Sequence, residues 1–420
     1  MNILIVGNRV PWPVRDGGAM ATYQLLKSLN FEGCNVTYFT LNTKKHWVSQ
    51  KEIQENLPFV NVVAVPHLVT ISAIDAFKNL LTSQSYFLSR YHNQKAKEQL
   101  EILLKNNEFD TVIIEGLYSS VFLSTIRQYF NKSVVYRAHN LEHQIWSRLI
   151  KTESNVLKKW YLSFQVNRLK NEEVQFIQNV DKCVSISPED QKAFIYIQSQ
   201  TNSNISQTNN NISQTNNSKL DALTVKRNFL YLPGMDPGLM EKSKLQPDSL
   251  FHLASMEWDA NVAGLEWFLS KVWPLVLSKQ PEMSIHIGGK SLKKSDKRYF
   301  HSRLINHGEV DDAAEFMKHH GIGIVPLWAG SGMRMKLLQA MSLGVPCVST
   351  SIGAQGLNVE NGRELLIADN PAEFAEALLK LNTDRKFAIE IGKNALNYVI
   401  QHHNSVQNTR ALIQFLKTND

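Results

Sequence analysis

Two basic side chains stand at the start of a predicted helix, directly after a glycine-rich turn. The turn is Gly330-Ser331-Gly332, the helix-period apolar pattern covers residues 333–343, and Arg334 and Lys336 lie in its first turns. A helix N-terminus presents free backbone N–H groups and the positive end of the helix dipole, and both favour an anion. Because cations at that end oppose the dipole, we predict that Arg334 and Lys336 hold a bound anion. The alternative is a pair of solvated basic residues on an exposed turn.

Two short apolar segments flank this helix and predict the elements that position it. Residues 321–327 and 346–350 have the composition of buried strands, and Gly344 and Pro346 end the helix between them. The order strand, glycine loop, helix, strand is the repeating unit of an α/β protein. In an open parallel sheet, ligands bind at the carboxyl edge, where such loops meet.

Further candidates stand at predicted strand ends in the first half of the chain. Glu115 follows a strand over residues 111–114, and His139 follows one over residues 134–137. The carboxyl edge of a parallel sheet again makes both candidates for a ligand site. A histidine at a strand end is also a common structural hydrogen-bonding group, and Glu115 is alternatively a solvated carboxylate.

The N-terminal segment predicts the opening of a nucleotide-binding type of domain. Residues 2–6 form an apolar run typical of a buried strand, residues 7–18 form a loop, and residues 19–30 a helix. The loop GNRVPWPVRDGG is too long for Gly-x-Gly-x-x-Gly, so dinucleotide binding is not supported. Gly17 and Gly18 allow the backbone to approach either a ligand or a neighbouring strand.

A His-x-x-Glu-His pattern, formed by His139, Glu142 and His143, raises the alternative of a zinc hydrolase. Zinc would need both histidines on one helix face, a third ligand and an open coordination position. Here the first histidine directly follows an apolar strand, which is the wrong context for a helical ligand pair.

Length and composition indicate a two-domain globular protein. The chain has 420 residues, of which 43% are hydrophobic and 20% charged, and a net charge of +7 that suits an anionic partner. Three cysteines without paired spacing, no signal peptide and no membrane-length apolar run lead us to expect a cytoplasmic protein.

Domain boundaries follow from changes in composition. We predict an N-terminal domain at residues 1–197, a disordered Asn-rich insert at 198–219 with NISQTNN repeated in tandem, and a linker region at 220–249. Alternating strands and helices then predict a C-terminal domain at residues 250–395. A C-terminal helix at 396–420 is expected to pack back on the first domain.

A long helical region at residues 151–179 interleaves basic and apolar side chains, among them Lys158, Lys159, Trp160 and Phe164. A basic amphipathic helix of this kind either lies on an anionic membrane or packs its apolar face on its own domain. Both interpretations remain open from the sequence.

The motifs together resemble the retaining glycosyltransferases of family 4. The resemblance rests on ASMEWDANVAGLEWFL, HGEVDD, PLWAGSGMRMKLLQAMSLGVPCVST and IGAQGL in the second half, and on NRVPWPVRDGGA and YRAHNLEHQIW in the first. It implies the GT-B fold, an α/β architecture of two facing Rossmann-like domains with parallel sheets and an interdomain cleft. The basic loop GSGMR-x-K is similar to one bacterial subgroup of that family.

The resemblance also implies a reaction. A hexose would move, with retention, from a nucleoside-diphosphate sugar to a lipid-linked or surface-polysaccharide acceptor, without a metal or other cofactor. The chain contains no Asp-x-Asp pair for a metal-bridged diphosphate. The protein would be cytoplasmic and peripheral to the inner face of the membrane, with no nucleic-acid partner.

Site residues follow from the same resemblance. Arg334, Lys336 and His139 would be catalytic, the first two on the diphosphate and His139 on the transferring sugar. The donor side would comprise Gly330, Ser331, Gly332, Met333, Gln339, Val310 and Gly289. The acceptor side would comprise Gly17, Gly18, Glu115 and Asn140.

Two departures from the family pattern qualify this assignment. Ser331 and Gln339 occupy the positions of two glutamates that contact the donor sugar and the ribose, and Gln339 keeps hydrogen-bonding capacity for ribose. Where many members have an Arg and a Lys in the first loop of the second domain, this chain has Ser255-Met256-Glu257-Trp258. A non-catalytic GT-B protein that binds a sugar nucleotide or a partner is therefore an alternative. A sugar-nucleotide epimerase and a nucleic-acid binder are less well supported.

Overall fold

The computed structural model describes residues 1–14, 16–69, 72–207, 227–231, 234–235, 248–329 and 333–418. The chain divides into two compact units. The first comprises Met1–Val14, Leu25–Leu232 and Thr409–Asp420, and the second comprises Arg15–Gln24 and Pro233–Asn408. Each unit contains one sheet of parallel strands flanked by helices, which confirms the predicted α/β class with two parallel-sheet domains.

The sheet of the first unit is built from strands that alternate along the chain with helices and loops. They are β1 Asn2–Gly7, β2 Asn35–Thr43, β3 Asn61–His67, β4 Thr111–Glu115, β5 Val134–Ala138, β6 Lys182–Ser185 and β7 Asn228–Leu230. Their order is β3-β2-β1-β4-β5-β6-β7, and every pair is parallel. The chain runs outward from β1 to β3, then returns to the other side of β1 at β4.

The central strands are buried on both faces, as their continuous apolar runs predict. In β1, Leu4 and Val6 join one hydrophobic cluster while Ile3 and Ile5 join the cluster on the opposite face. This alternation is the two-residue period of a strand. The sheet is therefore the rigid centre on which the loops at its carboxyl edge are mounted.

In the part of the chain before the second sheet, the sequence predicted a helix at residues 19–30 and a helical region at residues 151–179, and the structure shows further helices. They are α1 Gly17–Phe31, α2 Gln50–Asn56, α3 Ala73–Asn79, α4 Tyr86–Ser89, α5 Gln94–Asn106, α6 Leu123–Tyr129, α7 Glu142–Thr152, α8 Val156–Asn179 and α9 Pro188–Gln207. The predicted single helical region at 151–179 is wrong in one respect, because the helix breaks between α7 and α8. Asn155 caps α8 there by accepting a hydrogen bond from the Lys158 backbone N–H at 3.0 Å.

Two of the predicted boundaries are corrected by the structure. The Asn-rich insert was predicted to begin at residue 198, but α9 continues to Gln207. The predicted linker at 220–249 contains β7, a strand of the first sheet, which pairs with β6 from Asn228 to Leu230. Asn228 also donates a side-chain hydrogen bond at 2.7 Å to Gln198, so α9 and β7 stabilise each other. The remainder of the insert, residues 208–219, and the first part of the predicted linker, residues 220–226, lie outside the described residues.

The second sheet repeats the topology of the first. Its strands are β8 Ser249–Leu253, β9 Ser284–Gly288, β10 Leu304–Gly308, β11 Ile322–Val325, β12 Cys347–Ser349 and β13 Leu366–Ile367. Their order is β10-β9-β8-β11-β12-β13, again all parallel. The direction of winding reverses between β8 and β11, which makes that position the switch point where ligands bind in such sheets.

The helices of the second half complete the fold. They are α10 Asp259–Trp267, α11 Trp273–Lys279, α12 Ala313–Lys318, α13 Met335–Ser342, α14 Pro371–Thr383, α15 Arg385–His402 and α16 Ser405–Lys417. A π-helical turn at Phe268–Val272 joins α10 to α11. The predicted boundary at residue 395 falls inside α15, so that division is wrong. Among the described residues, no helix combines the length and the apolar character that crossing a bilayer requires.

The end of α16 belongs to the first unit. Leu412 and Leu416 join the cluster behind β1, and the buried Lys182 of β6 donates from Nζ to the carbonyl oxygens of Phe415, at 3.1 Å, and Thr418. A lysine at the last carbonyl groups of a helix satisfies acceptors that have no partner within the helix. The first unit therefore includes residues from both ends of the chain.

Candidate active site

The predicted anion loop leads into the switch point of the second sheet. β11 ends at Val325, and α13 begins at Met335 with Arg334 in the N-cap position and Lys336 in the first turn. Gly330, Ser331 and Gly332 lie outside the described residues. The two cations are therefore located at the carboxyl edge of the sheet, beside the reversal between β8 and β11.

Lys336 is held in a partly buried position. Its Nζ donates to the side-chain oxygen of Gln339, at 3.2 Å. Burial lowers the pKa of Lys336 to about 8, although the nearby Asp312 and Asp16 attract the charged form. An ammonium group with a lowered pKa gains more than an exposed one from an additional anion, because the anion replaces the water it has lost.

Other residues predicted to bind the donor lie at the same edge of the sheet, in loops that follow neighbouring strands. Gly289 follows β9 with φ +141°, and a Cβ there would lie 1.8 Å from the carbonyl oxygen of Ala254, so only glycine fits. Val310 follows β10 and packs its Cγ1 against Gly288. Met333 is buried ahead of α13, where its Cα lies 3.3 Å from an ideal Cβ on Gly356.

Lys290 is a cation that the sequence analysis did not select. It follows Gly289 and forms an ion pair with Glu257 of the loop after β8, at 3.1 Å, while Ser291 Oγ donates to the same carboxylate. The loop after β8 therefore carries an anion, and its paired cation comes from the neighbouring loop. The segment Gly288-Gly289-Lys290 could have indicated a basic residue after a strand. Its pairing with Glu257 could not be predicted, because it depends on the order of the strands in the sheet.

Gly17 and Gly18 open α1, which begins two residues earlier than predicted. Asp16 caps this helix by accepting from the Ala19 backbone N–H at 3.0 Å. Residues 16–24 cluster with the second unit. A Cβ on Gly17 would lie 3.3 Å from Cγ of Met335, so its close neighbour is the first residue of α13 rather than a strand.

The first unit gathers Glu115, Arg137 and His139 at the carboxyl edge of its sheet. Glu115 ends β4 and lies directly across from Arg137 of β5, with which it forms a buried ion pair. His139, one residue past β5, places Nε2 2.6 Å from the same carboxylate oxygen. Only 3% of Glu115 is exposed, so the alternative of a solvated carboxylate is wrong. Asn140 follows His139 in the half-buried segment before α7.

Arg137 was missed by the sequence analysis as a site residue. It is fully buried, and its guanidinium lies 5.3 Å from the centre of the Tyr231 ring. A charged residue inside an otherwise apolar strand is the signal that could have selected it. The pairing itself required the parallel register of β4 and β5, which no local pattern contains.

The His-x-x-Glu-His residues do not converge on one point. His139 pairs with Glu115, whereas His143 places Nδ1 2.6 Å from Glu173 of α8. Glu173 also accepts from the backbone N–H groups of Glu142 and His143, so it caps α7. Burial raises the pKa of Glu142 to about 7, and that carboxylate accepts a hydrogen bond from Tyr118 Oη. The zinc interpretation is therefore not supported by the arrangement of these side chains.

Three histidines of the second unit, His286, His307 and His320, each place one ring nitrogen within 4.8 Å of the others. His286 Nδ1 and His307 Nε2 are 2.9 Å apart, which is a hydrogen-bond distance. The rings of His286 and His320 stack with centroids 4.0 Å apart. Because nitrogen lone pairs lie in the ring planes, stacked rings do not direct two of them at one ion. The cluster is a hydrogen-bonded packing arrangement beneath α12.

Two parallel sheets, each with the order of a nucleotide-binding sheet and each with polar residues at its carboxyl edge, define the GT-B fold class. Comparison with solved structures agrees over nearly the whole chain. The Anabaena protein HepE, solved with UDP and glucose, has a TM-score of 0.64 at 12% identity and covers 99% of both chains. Sucrose-phosphate synthase from Thermosynechococcus elongatus has a TM-score of 0.65 at 13% identity, over 99% of this chain and 98% of that one.

Sequence comparison shows that part of the chain matches a known family. Residues 247–384 match the family described as Glycosyl transferases group 1. An uncharacterized 44.6 kDa protein in the cps region of Klebsiella pneumoniae is 24% identical over 417 residues, which is 96% of both chains. Together with the fold, these similarities support a GT-B glycosyltransferase.

Proposed function

We propose that this protein is a retaining glycosyltransferase of family 4 that moves a hexose from a nucleoside-diphosphate sugar to a lipid-linked or surface-polysaccharide acceptor. The observation that carries the proposal is the position of Arg334 and Lys336 at the start of α13, beside the switch point of the second sheet. These residues lie within the matched segment 247–384. HepE, which is named with UDP and glucose, and the relative in a cps region support the donor class and the type of product.

Arg334 and Lys336 would act on the leaving group. When the bond between the anomeric carbon and the diphosphate oxygen breaks, negative charge grows on that oxygen, and two cations at a helix N-terminus stabilise it. Arginine binds phosphate oxygens in a planar, two-pronged geometry, whereas lysine provides a compact charge. This charge compensation is the basis for proposing transfer without a metal ion.

His139 would orient the sugar on the acceptor side. Its Nε2 is committed to Glu115, so the ring orientation is fixed by a buried carboxylate that Arg137 in turn holds. In front-face transfer with retention, the acceptor oxygen bonds to the anomeric carbon from the side the phosphate leaves. The acceptor proton then passes to the leaving phosphate oxygen. His139 therefore needs to hydrogen-bond the sugar and does not need to serve as the base.

The central experiment substitutes Arg334 by alanine and measures UDP binding by calorimetry and transfer with a donor that the wild type uses. We expect Arg334→Ala to abolish transfer and weaken nucleoside-diphosphate binding, with an unchanged melting temperature. Arg363→Ala is the matched control, because the side chain of Arg363 is largely exposed and pairs with Glu360 and Glu364 in the same unit. Near-normal donor affinity in Arg334→Ala would contradict the phosphate assignment.

A second candidate function is binding of a sugar nucleotide without transfer. It is favoured by one observation, the replacement of two motif glutamates by Ser331 and Gln339. A thermal-shift screen of UDP-, GDP-, ADP- and TDP-sugars identifies the donor, because a ligand that binds the folded state raises its stability. Stabilisation by a donor with no turnover across a broad acceptor panel would favour the binding protein over the enzyme.

A further inference from the structure

The N-terminal turns of α8 and the neighbouring α3 expose large apolar side chains to solvent. Leu81 is 88% exposed, Leu157 80%, and Trp160 65%. We call the whole set the α3–α8 apolar surface. It consists of Ile74, Phe77, Leu81, Val156, Leu157, Trp160 and Phe164. Contiguous exposed apolar side chains of this size are uncommon on a soluble monomer and mark interaction sites.

Different parts of α8 face different surroundings, which resolves the two interpretations of this helix. From Gln165 onward it buries Val166, Leu169, Phe176 and Ile177 against the first sheet, as an ordinary surface helix does. Its first turns instead point Val156, Leu157 and Trp160 outward. The packing interpretation therefore accounts for the C-terminal part only.

The two helices present their exposed apolar residues together. Tyr161 Oη donates to the Ala76 carbonyl oxygen at 3.4 Å, and Arg168 donates to the carbonyl oxygens of Asn79 and Leu80, at 2.9 and 3.1 Å. These bonds fix the end of α3 against α8. The Trp160 and Phe164 rings are parallel to within 7°, with centroids 6.3 Å apart. The α3–α8 apolar surface is therefore a preformed feature of the first unit.

Charge around this surface has one predominant sign. Between Val156 and Leu169 the chain carries Lys158, Lys159 and Arg168 and no acidic residue, and just before α8 Glu153 forms an ion pair with Lys158 at 2.5 Å. Lys78 of α3 is also exposed, and the acidic residue of that helix is Asp75, three residues before it. Lysine stems extend over apolar surface while their ammonium groups reach toward anionic headgroups, and Trp and Phe favour the interfacial depth. A protein partner of mixed charge would be matched less well.

We propose that the α3–α8 apolar surface docks the first unit onto an anionic phospholipid bilayer, with its apolar side chains between the headgroups and the acyl chains. The inference deepens the proposed function, since it would bring the enzyme to a lipid-linked acceptor. Its physical basis is independent of that function, because none of its residues belongs to the candidate active site.

The test is co-sedimentation of the full chain with vesicles. Wild-type protein should pellet with vesicles of phosphatidylethanolamine and phosphatidylglycerol, and much less with phosphatidylcholine alone. The triple variant Phe77→Ser, Leu157→Ser, Trp160→Ser should bind at least about tenfold more weakly, because each change removes apolar area that would leave water. Lys158→Gln with Lys159→Gln should reduce the preference for the anionic lipid.

The matched control is the triple variant Phe31→Ser, Trp47→Ser, Ile102→Ser, whose side chains are also exposed on the first unit but lie outside this surface. It should pellet as the wild type does. The proposal is overturned if wild-type protein does not bind anionic vesicles, or if the two triple variants bind equally well. It is also overturned if size exclusion shows a dimer that only the surface variant dissociates, because the occupant would then be a second copy.

A parallel measurement separates this inference from the proposed function. The surface variant should keep its wild-type thermal shift with the sugar nucleotide. If the surface variant loses vesicle binding but keeps its thermal shift with the sugar nucleotide, the result supports the docking surface and does not bear on the donor site. Vesicle binding in a wild-type protein that no sugar nucleotide stabilises would overturn the glycosyltransferase and leave the docking surface standing.

Discussion

The two sheets share a strand order, but the side chains at their carboxyl edges balance charge in opposite ways. In the first unit, Arg137 is buried against the carboxylate of Glu115, which also pairs with His139. In the second, Lys336 donates to the uncharged amide oxygen of Gln339. The first edge thus neutralises its own cation internally. At the second edge Lys290 is paired with Glu257, but Lys336 donates only to an uncharged partner, and we expect its charge to serve an incoming anion.

This difference shows that the fold determines where loop residues come together, but not which chemical groups those residues carry. A parallel sheet brings loop residues together at its carboxyl ends whatever their type. The same topology therefore gives one site organised by a buried ion pair, which orients a histidine, and another organised by cations at a helix start. We expect the first to govern stability and the second to govern donor binding.

The largest effect should come from breaking the buried ion pair of the first edge. Arg137→Met leaves the Glu115 carboxylate buried without its cation, so we expect a loss of about 3–5 kcal/mol in the free energy of unfolding, measured by urea denaturation. The double variant Arg137→Met, Glu115→Gln should recover most of it, because the uncompensated charge is gone. A single-variant loss under about 1 kcal/mol would indicate a solvent-screened pair instead.

A smaller and different effect is expected at the second edge. Lys336→Met should weaken UDP affinity by about tenfold or more, since a hydrogen bond to a charged group contributes roughly 1.5–3 kcal/mol. It should not lower the free energy of unfolding, because the ammonium is partly buried and its pKa is reduced. Lys393→Met, at an exposed position of α15, is the matched control for both measurements. Equal loss of affinity in both variants would remove the contrast between the edges.

The pH dependence of binding sharpens the comparison further. The pKa of Lys336 is about 8, below that of an unfolded lysine, so UDP affinity should fall as pH rises through 8. The free protein should behave oppositely and gain stability above pH 8, because the unfolded state then binds more protons than the folded state. Calorimetry between pH 7 and 9 measures the first trend. Lys336→Arg should flatten it, since arginine stays protonated.

The smallest predicted effect concerns Asp312, whose charge opposes the lowering of the Lys336 pKa. Asp312 also caps α12 by accepting from the Ala314 and Glu315 backbone N–H groups. Asp312→Asn keeps a good cap and removes the charge. The midpoint of the pH dependence of UDP binding should therefore move below that of the wild type, with little change in melting temperature. A midpoint that moves upward would contradict the assigned attraction.

Local patterns were sufficient for the elements that form the edges. The predicted strand at residues 346–350 is β12, Cys347–Ser349, and the helix predicted at 333–343 is α13, Met335–Ser342. Apolar period and glycine or proline stops determine such elements locally. β7 was missed because its short apolar stretch lies between the polar insert and a turn-rich segment, and the strand forms by pairing with β6.

Contacts between residues that are distant in the sequence could not be predicted from local patterns. The bond from Glu173 to the start of α7 spans more than a full helix of sequence, and the Lys290–Glu257 pair joins loops after different strands. Exposure of Trp160 was equally hidden, because an apolar stripe has the same period whether it packs on a sheet or faces solvent. What a sequence specifies about a site is its residue types, and the sheet order decides which of them meet.

Lys182 and the end of α16 have a consequence for how the protein is made. During synthesis, β6 emerges long before residues 409–418, whose carbonyl groups receive the Lys182 ammonium and whose leucines complete the cluster behind β1. The second unit is encoded entirely before that point, so it can fold on the ribosome while the first still lacks part of its core. The first unit, most of whose strands are synthesised before the second unit, is therefore completed only after it.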